Sequence, residues 1–219
     1  MLLSSPRDNF DLPSIISIYK KLCYAGLFVF TIYFYIFLWY NKNKIDFTEV
    51  IKMTKRARQY IGLIVAVIAY YVIHEGAHLL YSVFAGCFKQ IKFMGLGMQI
   101  DVYSEQMTQA QLGIFCILGS LASLLAAYIL IAFIGVISRS SSKVFKACAY
   151  YVTIALLLID PLYLSVLCGL FGGGDMNGIS LLIPELAARI IYGIILVINA
   201  ILFIKIVLPK YTLAFANQT

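Results

Sequence analysis

Residues 71–88 read YVIHEGAHLLYSVFAGCF, which sets a glutamate and two histidines inside a run otherwise suited to the interior of a bilayer. A carboxylate near the middle of a membrane helix costs about 2.5–3.5 kcal/mol on insertion scales. Something must offset that cost if His74, Glu75 and His78 are to stay there.

The run belongs to an apolar stretch over 60–86, and the same pattern recurs along the chain. Residues 22–40, 112–138, 147–171 and 186–209 are also long and apolar, each of a length to cross a bilayer. The sequence therefore predicts an all-α polytopic membrane protein with about five transmembrane helices. Within the fourth stretch, Asp160-Pro161 predicts an interruption, because proline removes a helix hydrogen bond. Composition agrees. The chain of 219 residues is 62% hydrophobic and 12% charged, about half the charged share of a soluble domain. Mean hydropathy is +0.91. Polar material between the stretches is too short for a separate soluble domain. No short apolar core followed by a small-residue cleavage site opens the chain, so its first long apolar stretch is expected to be retained as a span.

A formal net charge of +7 raises the question of nucleic acid. The basic residues sit between apolar runs, where anionic lipid headgroups are their natural partner, and nucleic-acid binding is rejected. The five cysteines are odd in number and lack CxxC spacing. They read as small buried hydrophobes rather than a disulfide framework.

One segment departs from helical periodicity. In KQIKFMGLGMQIDVY (89–103), Met98, Ile100 and Val102 alternate with Gln99, Asp101 and Tyr103, and Gly95 and Gly97 stand in the middle. This predicts a short β-hairpin between the second and third apolar stretches. In the stretch that follows, Gly119, Ser123 and Ala127 form a small-residue stripe against which the HEGAH helix should pack. Packing alone accounts for them, and no chemistry is assigned there.

His74 and His78 are the only histidines in the chain. Four residues apart, they project from one helix face, so both imidazoles can bind one tetrahedral Zn²⁺ while Glu75 reaches the bound water. A third ligand has to come from ten acidic residues. Asp160 and Asp175 lie within or beside later apolar runs, and Glu185 is more distant. Asp175 follows three glycines that let the backbone bend. Asp160 before Pro161 also reads as a helix kink. Asp175 is the favoured ligand, with Asp160 as the alternative. Asn177, beyond Asp175, is an ordinary turn former or an aid in holding substrate.

HEGAHLLYSVFAG resembles the zinc motif of the site-2 proteases, including Gly86 eight residues beyond His78. The similarity continues in order over 60–180. The hairpin stands where that family carries a membrane-associated β-hairpin. LGSLASLL stands where the family shows Gly-Pro-x-x-Asn, with Gly119 kept and Ser120 and Ser123 in place of proline and asparagine. GGGDMNGI stands where its third ligand usually appears as Asp-Gly, here Asp175 with Gly178 three residues on. The resemblance implies a zinc intramembrane endopeptidase with metal ligands His74, His78 and Asp175 and catalytic Glu75. It further implies a substrate that is a membrane-spanning segment, signal-peptide remnant or short precursor peptide. An unwound substrate is expected to add as a strand to the hairpin edge.

The expected organisation is an N-terminal helix and basic connector over 1–59, a metalloprotease core over 60–180 and a C-terminal helix and tail over 181–219. We expect a multi-pass protein of a bacterial cell membrane. The six Lys/Arg of residues 41–60 favour a cytoplasmic connector. The resemblance implies the reverse, with zinc nearer the cytoplasm, and that orientation is adopted. Two other readings stand: a non-enzymatic transporter or metal-sensing membrane protein, and an aspartyl intramembrane protease using Asp160 and Asp175. Oligomeric state and substrate identity are not legible.

Overall fold

A computed structural model describes residues 54–94, 97–171 and 173–216. The expected span over 22–40, and the connector up to residue 53, lie outside the described residues. Within them, four helices are long and apolar enough to cross a membrane: Lys55–Phe84, Gln109–Ala132, Lys143–Leu170 and Glu185–Ala216. Their outward faces are apolar. Ile64, Ile68 and Val72, spaced four apart on the first, are 60%, 58% and 61% exposed, a surface suited to lipid and not to water. These features mark a membrane protein.

Helix α1 (Lys55–Phe84) begins where the Thr54 side chain accepts from Ala57 N–H at 3.2 Å. It runs unbroken through the HEGAH cluster and hands over to a two-stranded antiparallel hairpin, β1 (Phe88–Met94) and β2 (Gly97–Val102). The register pairs Ile91 with Ile100 and Phe93 with Met98, and a bulge falls between Phe88 and Gln90. The alternation in the sequence is therefore a real strand.

Helix α2 (Gln109–Ala132) opens on a reciprocal capping box between Thr108 and Gln111. It stops short of the expected residue 138. The chain turns at Phe133 into the short α3 (Ile134–Ser138), where Ile134 and Ile137 bury against Val207 and Tyr211.

Helix α4 (Lys143–Leu162), capped by Ser142, carries Pro161 in its last turn and is not interrupted there. Pro161 has no N–H to offer the Leu157 carbonyl. Asn199 Nδ2 donates to that carbonyl instead, at 2.8 Å, and Asn199 Oδ1 accepts from the Tyr128 hydroxyl, also at 2.8 Å. The expected break is thus replaced by a polar bridge that ties three helices together. A π-helical turn (Tyr163–Leu167) and α5 (Cys168–Phe171) continue the same rod. After the glycines comes α6 (Asp175–Ile179). Last are α7 (Glu185–Leu202), a second π turn (Phe203–Val207) and α8 (Leu208–Ala216). Pro209 does not end this last rod, which runs beyond the expected limit. Arg189 and Glu185 pair at 2.8 Å, as their i,i+4 spacing suggests.

Ala127, Leu156 and Leu157 form a core where α2 meets α4. A second core joins Phe115, Cys116, Leu164, Met176 and Ile179 with Ile100 of the hairpin. The four described cysteines are unpaired thiols, three of them buried. The site lies between these packed groups.

Candidate metal centre

One helical turn separates His74 from His78, so both rings leave the same face of α1 and are buried. Their Nε2 atoms lie 3.2 Å apart. Asp175 reaches the same point from the glycine turn, its Oδ2 lying 3.1 Å from His74 Nε2 and 3.4 Å from His78 Nε2. These three ligand atoms, all within 4.8 Å of one another, could hold a metal ion.

The glycine turn explains how Asp175 arrives there. Gly174 adopts φ +45°, a conformation that L side chains rarely tolerate, and a Cβ on it would lie 2.7 Å from the Tyr163 hydroxyl. The chain can therefore reverse sharply and place Asp175 in the first turn of α6.

Asp160 is drawn in on the other side. Both of its carboxylate oxygens lie 3.2 Å from His74 Nδ1, and it accepts from the Tyr70 hydroxyl at 2.5 Å. An ionised carboxylate can only accept, so Nδ1 carries the proton and, in the neutral ring, Nε2 has a free lone pair. His74 Nε2 and Asp175 Oδ2 then meet as two acceptors, an arrangement that asks for a cation between them. Such a carboxylate behind a histidine is the usual orienting partner of a metal ligand. His78 lacks one: its Nδ1 is buried with no hydrogen-bond partner among the described residues, and its ring stacks on Phe115 at 4.5 Å.

Gly119 of α2 closes the site from above. A Cβ there would lie 2.6 Å from His74 Nε2 and would also collide with His78 Nε2. The small-residue stripe does receive the HEGAH helix, as expected. Its first member also keeps clear the space where the three ligand atoms converge. That is more than the packing role first assigned to it.

Glu75 is buried, and its carboxylate accepts from the Ile100 backbone N–H at 3.0 Å. The strand β2 thus holds Glu75 from its outer edge. Of the other acidic candidates, Glu185 takes no part in the cluster. Asn177 is exposed in the turn, where its carbonyl accepts from the Ser180 hydroxyl.

Sequence reasoning brought His74, His78 and Asp175 forward together. It missed the orienting position of Asp160, the supporting hydroxyl of Tyr70 and the clearance at Gly119. One signal for Asp160 was available, since an acidic residue within an apolar span is rarely idle. Comparison of the chain with protein-family models, curated proteins and solved structures finds no match.

Proposed function

We propose that this chain is a zinc-dependent intramembrane endopeptidase, as its resemblance to the site-2 proteases implies. The observation that carries the reading is the triangle of His74 Nε2, His78 Nε2 and Asp175 Oδ2, with edges of 3.1, 3.2 and 3.4 Å. A tetrahedral zinc with bonds of about 2.0–2.1 Å keeps its ligand atoms about 3.3–3.4 Å apart. Two neutral imidazoles and one carboxylate also match the donor set of catalytic zinc, which leaves a position open. When bound, zinc supplies polarisation of the scissile carbonyl and acidification of water.

The chain's own residues supply the rest. His74, His78 and Asp175 would hold the ion, and Asp160 fixes the His74 ring in the tautomer that presents Nε2. The Glu75 carboxylate takes a proton from the attacking water and delivers it to the nitrogen of the leaving amine. Surrounding helices exclude bulk water, which strengthens each of these charges. The buried polar cluster is tolerated because a cation neutralises it, and it is kept for peptide hydrolysis.

A helical segment hides its peptide bonds and must unwind before attack. The outer edge of β2 offers backbone groups to which an extended segment can add. The substrates that fit are single membrane spans, signal-peptide remnants or short precursor peptides.

The aspartyl alternative fares worse. His74 faces Asp160 with one ring nitrogen and Asp175 with the other, so an imidazole stands between the two carboxylates. Acids that share a proton must touch. The test of the zinc reading is metal analysis of the purified protein, with cleavage of a single-span substrate before and after chelation. Zinc near one equivalent, with activity lost on chelation and restored by zinc, is the expected result. Chelator-insensitive cleavage, or a protein that takes up no zinc, overturns it.

A further inference from the structure

The two faces of the hairpin differ in chemistry. Side chains alternate across a strand. The register sets Ile91 beside Ile100 and Phe93 beside Met98 on one face, with Gln90 beside Asp101 and Lys92 beside Gln99 on the other. The first face is apolar. Ile100 is buried in a core with Phe115 and Leu164, and Phe88 and Val102 pack against that core. The second face is polar. Gln90 Nε2 donates to Asp101 Oδ2 at 3.1 Å, and Lys89 Nζ lies 3.6 Å from the same oxygen.

The backbone of β2 shows which groups remain for a partner. Ile100 gives its N–H away from β1, to Glu75 at 3.0 Å. Tyr103 gives its N–H the other way, to the Cys87 carbonyl just before β1, at 2.9 Å. These directions alternate in an antiparallel ladder, so Met98, Ile100 and Val102 turn their backbone groups outward, and Gln99 and Asp101 turn theirs toward β1. A segment added antiparallel along the outer edge would stand in non-hydrogen-bonded pairs with Gln99 and Asp101, where side chains come closest. Each of its residues also shares the face of the residue it stands beside. Those beside Met98 and Val102 join the apolar face, and those beside Gln99 and Asp101 join the polar one.

Asp101 sets the charge at one of these places. It is the only acidic side chain of the two strands. The cations of the polar face, Lys89 and Lys92, both belong to β1, on the far side of Asp101 from the outer edge. Gln90 and Lys89 both engage Oδ2, and the Asp101 side chain is still 34% exposed. A cation placed beside Asp101 on the edge side meets the carboxylate first and Lys89 only beyond it, and Coulomb energy falls with distance.

We propose that Asp101 selects a lysine or arginine in the extended segment that adds to β2. The inference rests on the peptidase reading for what that segment is, a substrate. It narrows the class to segments that alternate apolar and polar residues around a basic one. Because Glu75 holds the Ile100 N–H, the substrate residue level with Ile100 lies beside the carboxylate proposed to carry the proton. The selected basic residue is the next one along the substrate, close to the bond that breaks.

The test uses the full chain in detergent and fluorescein-labelled single-span peptides that differ at one residue. Lys, Gln and Glu are placed in turn along the peptide, and cleavage and binding, by fluorescence anisotropy, are both followed. One position should rank Lys over Gln over Glu, with about a fivefold difference between the extremes, the scale of cross-strand charge pairs. Asp101→Asn should level that ranking, and Asp101→Lys should reverse it. Glu185→Gln, a charge lost on α7, should leave it unchanged. Peptides that bind in this order but are never cleaved would sink the peptidase reading and leave the role of Asp101 standing. A flat profile in both readouts, or a ranking that survives Asp101→Asn, overturns that role. Should Asp101→Lys fail to fold, the levelling by Asp101→Asn carries the same decision.

Discussion

Asp160 stands behind His74: both its carboxylate oxygens lie 3.2 Å from Nδ1, while Nε2 of the same ring faces Asp175 at 3.1 Å. The two aspartates that compete in the sequence for one role thus take different places, on opposite nitrogens of a single imidazole. Asp160→Asn should keep zinc but bind it about 10–100-fold more weakly, the cost typical of losing an orienting partner. Asp175→Asn should fail to retain zinc after mild chelation, since a weak neutral group replaces an anionic ligand. Tyr70→Phe, one bond further out, should weaken zinc less than Asp160→Asn. Metal affinity by competition with a chelating dye orders the three variants, and the reverse order of the two aspartates would undo the assignment.

Gly119→Ala is the steric test of the centre. Alanine usually improves a helix by about 0.5–1 kcal/mol over glycine. Here its methyl would lie 2.6 Å from His74 Nε2. The variant should fold and yet lose zinc. Gly135→Ala, where a Cβ meets nothing within 4 Å, is the matched control and should retain it. Zinc stoichiometry and thermal unfolding, measured together, separate loss of the site from loss of the fold.

The hairpin yields a paired test of substrate docking. Ile100 gives its N–H to Glu75, so in an antiparallel pair Met98, two residues earlier, turns its own N–H to the same outer edge. Proline at Met98 removes an outward donor without touching Glu75 or the β1–β2 ladder. Met98→Pro should therefore raise KM for a single-span substrate with zinc unchanged. Ile100→Pro should chiefly lower kcat, because it releases the carboxylate proposed to carry the proton. Identical kinetic defects in the two would argue against strand addition at this edge.

The bridge around Pro161 predicts an energetic coupling. Asn199→Ala leaves the Leu157 carbonyl and the Tyr128 hydroxyl without their partner. It should destabilise the protein by about 1 kcal/mol, the order measured for polar contacts between membrane helices. In Pro161→Ala the chain regains the N–H that Leu157 lacks, so Asn199→Ala should cost less in that background. Thermal unfolding of the four combinations in detergent measures this, and strict additivity would count against the bridge.

These tests also mark how far the sequence could be read. The four described spans, the hairpin and the pairing of His74 with His78 follow from local periodicity, and so were legible. Asp175 was legible because its glycines announce a sharp turn beside an apolar run. The continuous helix at Asp160-Pro161 was not. Proline predicts a break from its own chemistry, whereas the compensating amide of Asn199 lies 42 positions away on another helix. Gly119 was hidden for the same reason. Its neighbours within the helix say nothing of two imidazoles approaching from α1. What pattern cannot supply is which side chain another element brings to a given backbone atom.

The most direct measurement concerns Glu75. It is buried beside His74 and His78 without belonging to the triangle that could hold an ion. Glutamine keeps its shape and its acceptor for the Ile100 N–H but cannot take a proton. Zinc stoichiometry and cleavage of one single-span substrate, measured on the same Glu75→Gln preparation, should show full zinc occupancy with activity down about 10²–10⁴-fold. Full cleavage by a zinc-loaded Glu75→Gln protein would contradict the assigned chemistry.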